Sequence, residues 1–300
     1  MSSHFLHVCA PAKLNLFLHV TGRRPDGYHL LQSVFHLIDL SDTVKLRLRA
    51  DSQICRINPL PNVPPEEDLV IKAARLLQDT YQLKLGVDID LDKRIPMGAG
   101  LGGGSSDAAS TLMGLNQLWK LKLSTQDLMA IGVRLGADVP FFLFGKNAFV
   151  ESIGDVLHEI KLRKSSYLVI YPGVCIPTKT IFSSSSLTRN RSPITIIDFE
   201  AQYASHMQFN NDLQAVATQM FSEVSMALEW LENQFPNSRP LMSGSGSSVF
   251  CEIPSQTSLE QCLSNLPPMW HGFKVNGLSH HSAYNLDSSV NIQEGSRQVG

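Results

Sequence analysis

The stretch Pro96–Ser110, PMGAGLGGGSSDAAS, constrains this chain more than any other. Five glycines fall within seven positions (Gly98, Gly100, Gly102, Gly103 and Gly104), and Ser105, Ser106 and Asp107 follow at once, ahead of Ala108 and Ala109. Glycine tolerates positive φ and lets backbone N–H groups approach a ligand with no side chain between. A helix opening directly behind such a loop adds its unpaired first N–H groups and the positive end of its dipole. Together they make an anion cradle, and the usual occupant is a nucleotide phosphate. A flexible linker would not run into Ser-Ser-Asp-Ala-Ala at the head of an amphipathic segment.

The context narrows the kind of cradle. Gly98, Gly100 and Gly103 satisfy G-x-G-x-x-G, but a dinucleotide site needs a second parallel strand after the helix. Here a helix over about 104–118 is followed by WKLKLSTQDLMAIGVRLGA, where Ser124 or Thr125 reads as the N-cap of another helix. No Gly-Lys-Ser/Thr closes the motif, which excludes a Walker loop. No Val-Ala-Ile-Lys or His-Arg-Asp follows either, which excludes the protein-kinase glycine loop.

Three hundred residues with 43% hydrophobic and 17% charged side chains suit an ordinary globular protein of one large domain or two. A net charge of −2 excludes whole-molecule attraction to nucleic acid or to an anionic membrane. The five cysteines (Cys9, Cys55, Cys175, Cys251 and Cys262) form no metal or redox spacing and read as reduced thiols. No segment has the length of a membrane span, and the apolar start lacks the basic flank of a signal peptide. A cytoplasmic location is expected.

Along the chain, alternation gives strands at Phe5–Ala10 and Leu14–Val20, with a turn at Pro25-Asp26-Gly27. Further strands follow up to Ala50, then a helix from Leu69 and a half-exposed strand over 86–95 feeding the glycine loop. FFLFG, after Asp138, reads as an apolar strand. The polar run around 155–165 suggests a boundary. Beyond it come a strand at SYLVIYPG, one helix from about Asn211 to Phe235, a strand through MSGSGSSVF, a helix from Ser258 and a last strand. From His280 onward the chain is polar and aperiodic, with His280-His281 expected as solvated surface in a flexible tail.

Three patches are polar where packing alone does not ask for it. Lys13 and Asn15 share a strand face; Asp138 stands between a helix stop and an aromatic run; Met242–Phe250 is a second small-residue loop. Read singly, each has a plain structural alternative: an edge lysine, a turn-capping aspartate, a tight hairpin.

Taken in order with the glycine loop, they resemble the GHMP kinase superfamily. Its P-A-K-x-N-L motif matches Pro11–Leu16, its P-x-G-x-G-L-G-G-G-S-S motif matches Pro96–Ser106, and its C-terminal loop matches Gly244–Ser248. Arg23–Phe35, LGADVPFFLFG, Tyr171–Phe182 and Phe209–Gln214 are similar to the branch acting on 4-diphosphocytidyl-2-C-methyl-D-erythritol. Rivals are homoserine- or mevalonate-type members, or a non-catalytic binding protein on the same fold.

The resemblance implies an α+β fold of two domains. These are a ribosomal-protein-like ATP-binding domain over 1–160 and a ferredoxin-like α/β sandwich over 161–280, followed by a tail over 281–300. It implies ATP and Mg²⁺, a small-molecule acceptor, no nucleic acid or membrane partner, and a monomer or weak homodimer. Lys13 and Asp138 fall at its reacting centre. Pro96, Met97, Gly98, Ala99, Gly100, Leu101, Gly102, Gly103, Gly104, Ser105 and Ser106 fall at its nucleotide loop, with Ser105 or Ser106 as metal ligand. Asn15, Tyr28, His29, Thr178, Phe182, Gly244 and Ser245 fall at the acceptor, with Tyr28 and Phe182 sandwiching the cytosine ring. Two positions depart from the pattern: Asp68 and Asp107 each stand where an asparagine is expected.

Overall fold

Alternation over the first fifty residues builds two long antiparallel strands, β1 (Leu6–Arg23) and β2 (His29–Arg49), paired from Leu6↔Leu46 to Arg23↔His29. Between them the Pro25-Asp26 turn closes on Gly27, whose φ of 94° only glycine adopts without strain. The computed structural model describes residues 4–61, 63–205 and 209–284. The register slips between Pro11 and Ala12 and again between Asn15 and Leu18, so bulges bracket Lys13 and Asn15. Bulges re-aim side chains, and here they turn both residues inward.

The strands β3 (Ile54–Arg56), β4 (Gly86–Asp92), β5 (Ala148–Glu151) and β6 (Val156–Glu159) complete a six-stranded sheet of order β3-β4-β2-β5-β6, with β1 beside β2. Asp88 is buried in β4, because Arg47 and Arg49 of β2 both pair with it at 2.8 Å. Helices α1 (Leu69–Thr80), α2 (Gly103–Leu118), α3 (Thr125–Gly132) and α4 (Val139–Phe144) pack over the sheet. A second sheet, of order β10-β7-β9-β8, comprises β7 (Ser166–Tyr171), β8 (Leu241–Met242), β9 (Val249–Ile253) and β10 (His271–Asn276). With it go α5 (Thr178–Ser183), α6 (Ile196–Ala204), α7 (Gln214–Met220), α8 (Ser222–Gln234) and α9 (Glu260–Ser264). An aromatic core joins the two sheets: Phe17 of β1 stacks on Phe199 and Phe209 at 5.7 and 5.8 Å, and Tyr167 of β7 meets Phe250 of β9.

Three expectations are corrected. FFLFG is helical, as α4: Pro140 opens it and Gly145, at φ 72°, ends it. Its aromatics alternate too little to distinguish a short buried strand from a short buried helix. The helix expected over 211–235 is two, α7 and α8, broken where Phe221 takes extended φ and ψ. The tail does not begin at 281. His281 is fully buried, its N–H donates to Gly145 O at 2.8 Å, and the Tyr284 hydroxyl donates to Leu143 O, so residues 281–284 seal the end of α4. Residues 285–300 lie outside the described residues. All five cysteines are free, and among the described residues no helix is long and apolar enough to cross a membrane.

Helix α2 lies so close on β1 and β2 that a Cβ at Gly114 would fall 2.5 Å from Leu46 and 2.8 Å from Val8. Gly114→Val should therefore cost about 1–3 kcal/mol by overpacking. An unchanged urea midpoint would contradict this seating of α2.

Candidate active site

The glycine loop leaves β4 and enters α2 across the seam between the two sheets. Gly102, at φ 73°, is the N-cap of α2, and the helix's first N–H groups, from Gly103 to Ser105, open onto a cavity of about 560 Å³. Pro96, Met97, Gly98, Ala99, Gly100, Leu101, Gly102, Gly103, Gly104 and Ser105 all line it. Ser106 does not. It is fully buried and its hydroxyl donates to Pro11 O at 2.7 Å, so the expected ligand role for its side chain is corrected to a tie between α2 and β1.

The loop is held from three sides. Lys13 N–H donates to Leu101 O, Ser248 N–H to Ala99 O, and Ser243 Oγ to Gly100 O, each at 3.0 Å. A Cβ on Gly100 would sit 2.1 Å from Ser243 O, and one on Gly244 would sit 3.0 Å from Gly100 O. Glycine is required at Gly100 for space as well as for positive φ, and at Gly244 for its φ of 57°. Asn211, from the FNNDLQ segment, pins the second loop by donating to Met242 O at 2.7 Å and Gly244 O at 2.8 Å.

Lys13 is only 3% exposed. Its Nζ donates to Asn15 Oδ1 and to Gly100 O at 3.2 Å, and sits 4.9 Å from the Phe35 ring centroid. Burial holds its pKa below the usual 10.5, while Asp138, through space, opposes the shift. Among the described residues no direct ion pair joins the two, though both line the cavity. Asp138 is the N-cap residue of α4, yet its side chain caps nothing and stands free to meet a ligand. Asn15 is 1% exposed; it accepts from Lys13 and donates to Ser33 Oγ at 2.9 Å, so its visible task is to hold the ammonium.

Across the cavity stand Thr178, Phe182, Gly244 and Ser245, with Thr178 and Ser245 sharing a hydroxyl–hydroxyl hydrogen bond of 2.9 Å. Phe182 packs against another ring. Its partner is His29, at 5.0 Å between ring centroids, while Tyr28 is 62% exposed at the hairpin tip, where its N–H binds Asp26. His29 and Phe182 thus form one wall, and of the expected acceptor residues Tyr28 and His29 are not among those that line the cavity.

Beneath the loop lies a largely buried charge cluster that no sequence motif marks. Lys93 pairs with Asp42 and, at 2.8 Å, with Asp107 of α2. Asp42 also accepts the N–H groups of Arg94 and Ile95, which fixes the chain entering the loop as Asp107 fixes the chain leaving it. Burial pushes the Asp107 carboxyl up to about 7; Lys93 opposes this and Asp42 adds to it, because one ammonium serves two buried carboxylates. Asp68 also lines the cavity. It caps α1 through Val70 N–H and pairs with Arg56 at 2.9 Å, a role that needs a carboxylate. A larger cavity, of about 790 Å³, lies along β7, β8 and β9 and holds none of the expected site residues.

A family model described as the GHMP kinases N terminal domain matches residues 68–146. The chain is 56% identical over 283 residues to 4-diphosphocytidyl-2-C-methyl-D-erythritol kinase of Polynucleobacter asymbioticus, covering 93% of this chain and 96% of that protein. It is similar to the crystal structure of a 4-(cytidine 5'-diphospho)-2C-methyl-D-erythritol kinase, with a TM-score of 0.78 and 31% identity, covering 91% of this chain and 99% of that one. A Methanococcus jannaschii mevalonate kinase has a TM-score of 0.66 and 14% identity, covering 93% of this chain and all of its own, a likeness of fold alone.

Asp107 holds its proton more tightly folded (about 7) than at its ordinary 3.8, so its contribution to stability is full below about pH 4 and is lost as pH rises through 7. Asp107→Asn removes that loss. Urea unfolding from pH 4 to 8 should show the variant gaining on the parent as pH rises; a difference that does not vary with pH would contradict the burial argument.

Proposed function

The chain belongs to the 4-diphosphocytidyl-2-C-methyl-D-erythritol kinases of the GHMP kinase superfamily, and from that premise we propose the reaction. ATP gives its γ-phosphoryl group to the 2-hydroxyl of 4-diphosphocytidyl-2-C-methyl-D-erythritol, forming the 2-phosphate and ADP. This is a cytoplasmic step of the non-mevalonate route to isoprenoid precursors. The observation that carries the reading is the convergence of a buried lysine, an uncapping aspartate and a helix N-terminus behind a glycine loop on one cavity.

The triphosphate lies along Pro96–Ser105, where the loop N–H groups and the head of α2 supply the positive potential that a chain of net charge −2 lacks globally. The acceptor enters against Phe182, Thr178 and Ser245. Asp138 accepts a hydrogen bond from the 2-hydroxyl and aims its oxygen at the γ-phosphorus. A carboxylate is a weak base toward an alcohol, but a loose phosphoryl-transfer transition state releases the proton late. Asp138 then takes it as the new O–P bond forms. Lys13, kept in place by Asn15 and Gly100, offsets charge on the transferring group.

Among the described residues no group of three or more His, Cys, Asp or Glu side chains could cage a metal. The donors present, the Ser105 hydroxyl and the Asp138 carboxylate, would hold a Mg²⁺ from the protein side, and the ion would supply positive charge against the polyphosphate. Residues 1–160 then carry ATP and both reacting residues, and 161–280 contribute Thr178, Phe182, Gly244 and Ser245. We propose a monomer or weak homodimer acting on a single small-molecule acceptor.

ADP release with the cytidyl acceptor, mevalonate and homoserine offered in parallel tests the reading. Turnover only with the first is expected; turnover with either other alone would overturn it. Asp138→Asn should lower kcat by about 10²–10⁴-fold with ATP affinity nearly unchanged. Weakened ATP binding with kcat retained would remove Asp138 from the chemistry. The reaction needs Lys13 as ammonium, so kcat/KM should fall at alkaline pH through a pKa below 10.5. Residual activity in Lys13→Arg should lack that limb, and its persistence would assign it to another group.

A further inference from the structure

The His29–Phe182 wall is assembled by a residue that neither the motifs nor the proposed mechanism uses. Arg189 follows α5 in a loop and spreads its guanidinium between two distant segments. Its Nε donates to His29 Nε2 at 3.0 Å, Nη2 donates to Phe182 O at 3.0 Å and Ser184 O at 2.7 Å, and Nη1 donates to Leu187 O at 2.9 Å. The carbonyls of Phe182 and Ser184 are among those a helix leaves unpaired at its C-terminal end, so Arg189 closes α5 as well as reaching the β-hairpin. One planar fork thus sets both rings, 5.0 Å apart and tilted by 37°.

Guanidinium nitrogens only donate. His29 Nε2 must therefore present a lone pair to Arg189, and the ring's single proton resides on Nδ1. An imidazolium would set N–H against N–H. The direction of the His29 pKa agrees: burial lowers it, and the nearby Arg189 and Arg23 cations lower it further.

We infer that Arg189 is the positioning residue of the base-binding wall, fixing His29 as the neutral Nδ1–H tautomer and holding Phe182 beside it. The inference rests on the proposed acceptor, since its use is to present a stacking face and a fixed N–H donor to a flat heterocycle that carries acceptors, as a pyrimidine does. A lysine at this position keeps the charge but cannot reproduce the fork.

Histidine-¹⁵N-labelled enzyme tests the assignment without substrate, the His29 signals being identified by their loss in His29→Gln. Nδ1–H with unprotonated Nε2 near neutral pH is expected in the parent chain; the Nε2–H tautomer or an imidazolium would overturn the inference. In Arg189→Met the ring should populate both tautomers, and an unchanged Nδ1–H ring would overturn it. Arg189→Met and Arg189→Lys should raise KM for the cytidyl acceptor by about tenfold, roughly one ordinary hydrogen bond in binding, with KM for ATP and kcat changed less than about twofold. Equal rises in both KM values would reduce Arg189 to a structural tie and contradict its positioning role. Should the acceptor reading fail, the parent enzyme would not turn over the cytidyl compound although its Nδ1–H ring persisted, which separates that failure from a wrong tautomer.

Discussion

The molecule depends on one close backbone approach, that of Gly100 to the Ser243–Gly246 loop. No Cβ fits between them, and the contact is fixed by Ser243 Oγ on Gly100 O and Ser248 N–H on Ala99 O. It brings the proposed phosphate cradle, which belongs to the first sheet, against the hairpin of the second. Gly100 O also accepts from Lys13, so the same carbonyl sets the height of the ammonium above the loop. Replacing Gly100 would move the glycine loop, the lysine and the proposed acceptor wall together.

Charge around the cavity is arranged locally. With 25 basic and 27 acidic residues the chain has no general attraction for a polyphosphate. Two lysines instead stand at the loop, Lys13 buried and Lys93 half-buried, and each has its own internal support. Lys13 rests on Asn15 and a carbonyl, with its pKa lowered by burial; Lys93 is clamped between Asp42 and Asp107, which hold its pKa high despite burial. The first is suited to face developing charge on a transferring group, and the second to fix both ends of the glycine loop. A helix N-terminus placed by such a clamp needs no reorganisation to receive phosphate oxygens.

Much of this was legible in the sequence where chemistry and spacing coincide locally. The glycine run gave the loop and the start of α2, and the small-residue run at 242–250 gave a second loop; what had read as one strand through it is two, β8 and β9, the hairpin having been only the plain alternative. What was not legible depends on partners far away in sequence. Arg189 has no motif, and its role appears only when residue 29 is brought to residue 182. Ser106 looked like Ser105 until helical geometry turned it toward Pro11. His281 looked solvent-facing because its neighbours are polar, but the end of α4 receives it. FFLFG is too short and too uniformly apolar for period to decide between strand and helix. Asp68 and Asp107 departed from a pattern without apparent reason; Arg56 and Lys93 supply it.

In the proposed reaction Asp138 and the acceptor wall present one hydroxyl, that on the methyl-bearing carbon, to the phosphoryl donor. Phosphorus NMR of the product reads this directly. The carbon bearing the 2-hydroxyl carries no hydrogen, so a phosphomonoester formed there shows no three-bond proton coupling. A new uncoupled phosphomonoester resonance, appearing as ADP forms, is the result expected. A doublet or triplet would place the phosphoryl group on a secondary or primary hydroxyl and contradict the orientation assigned to Asp138.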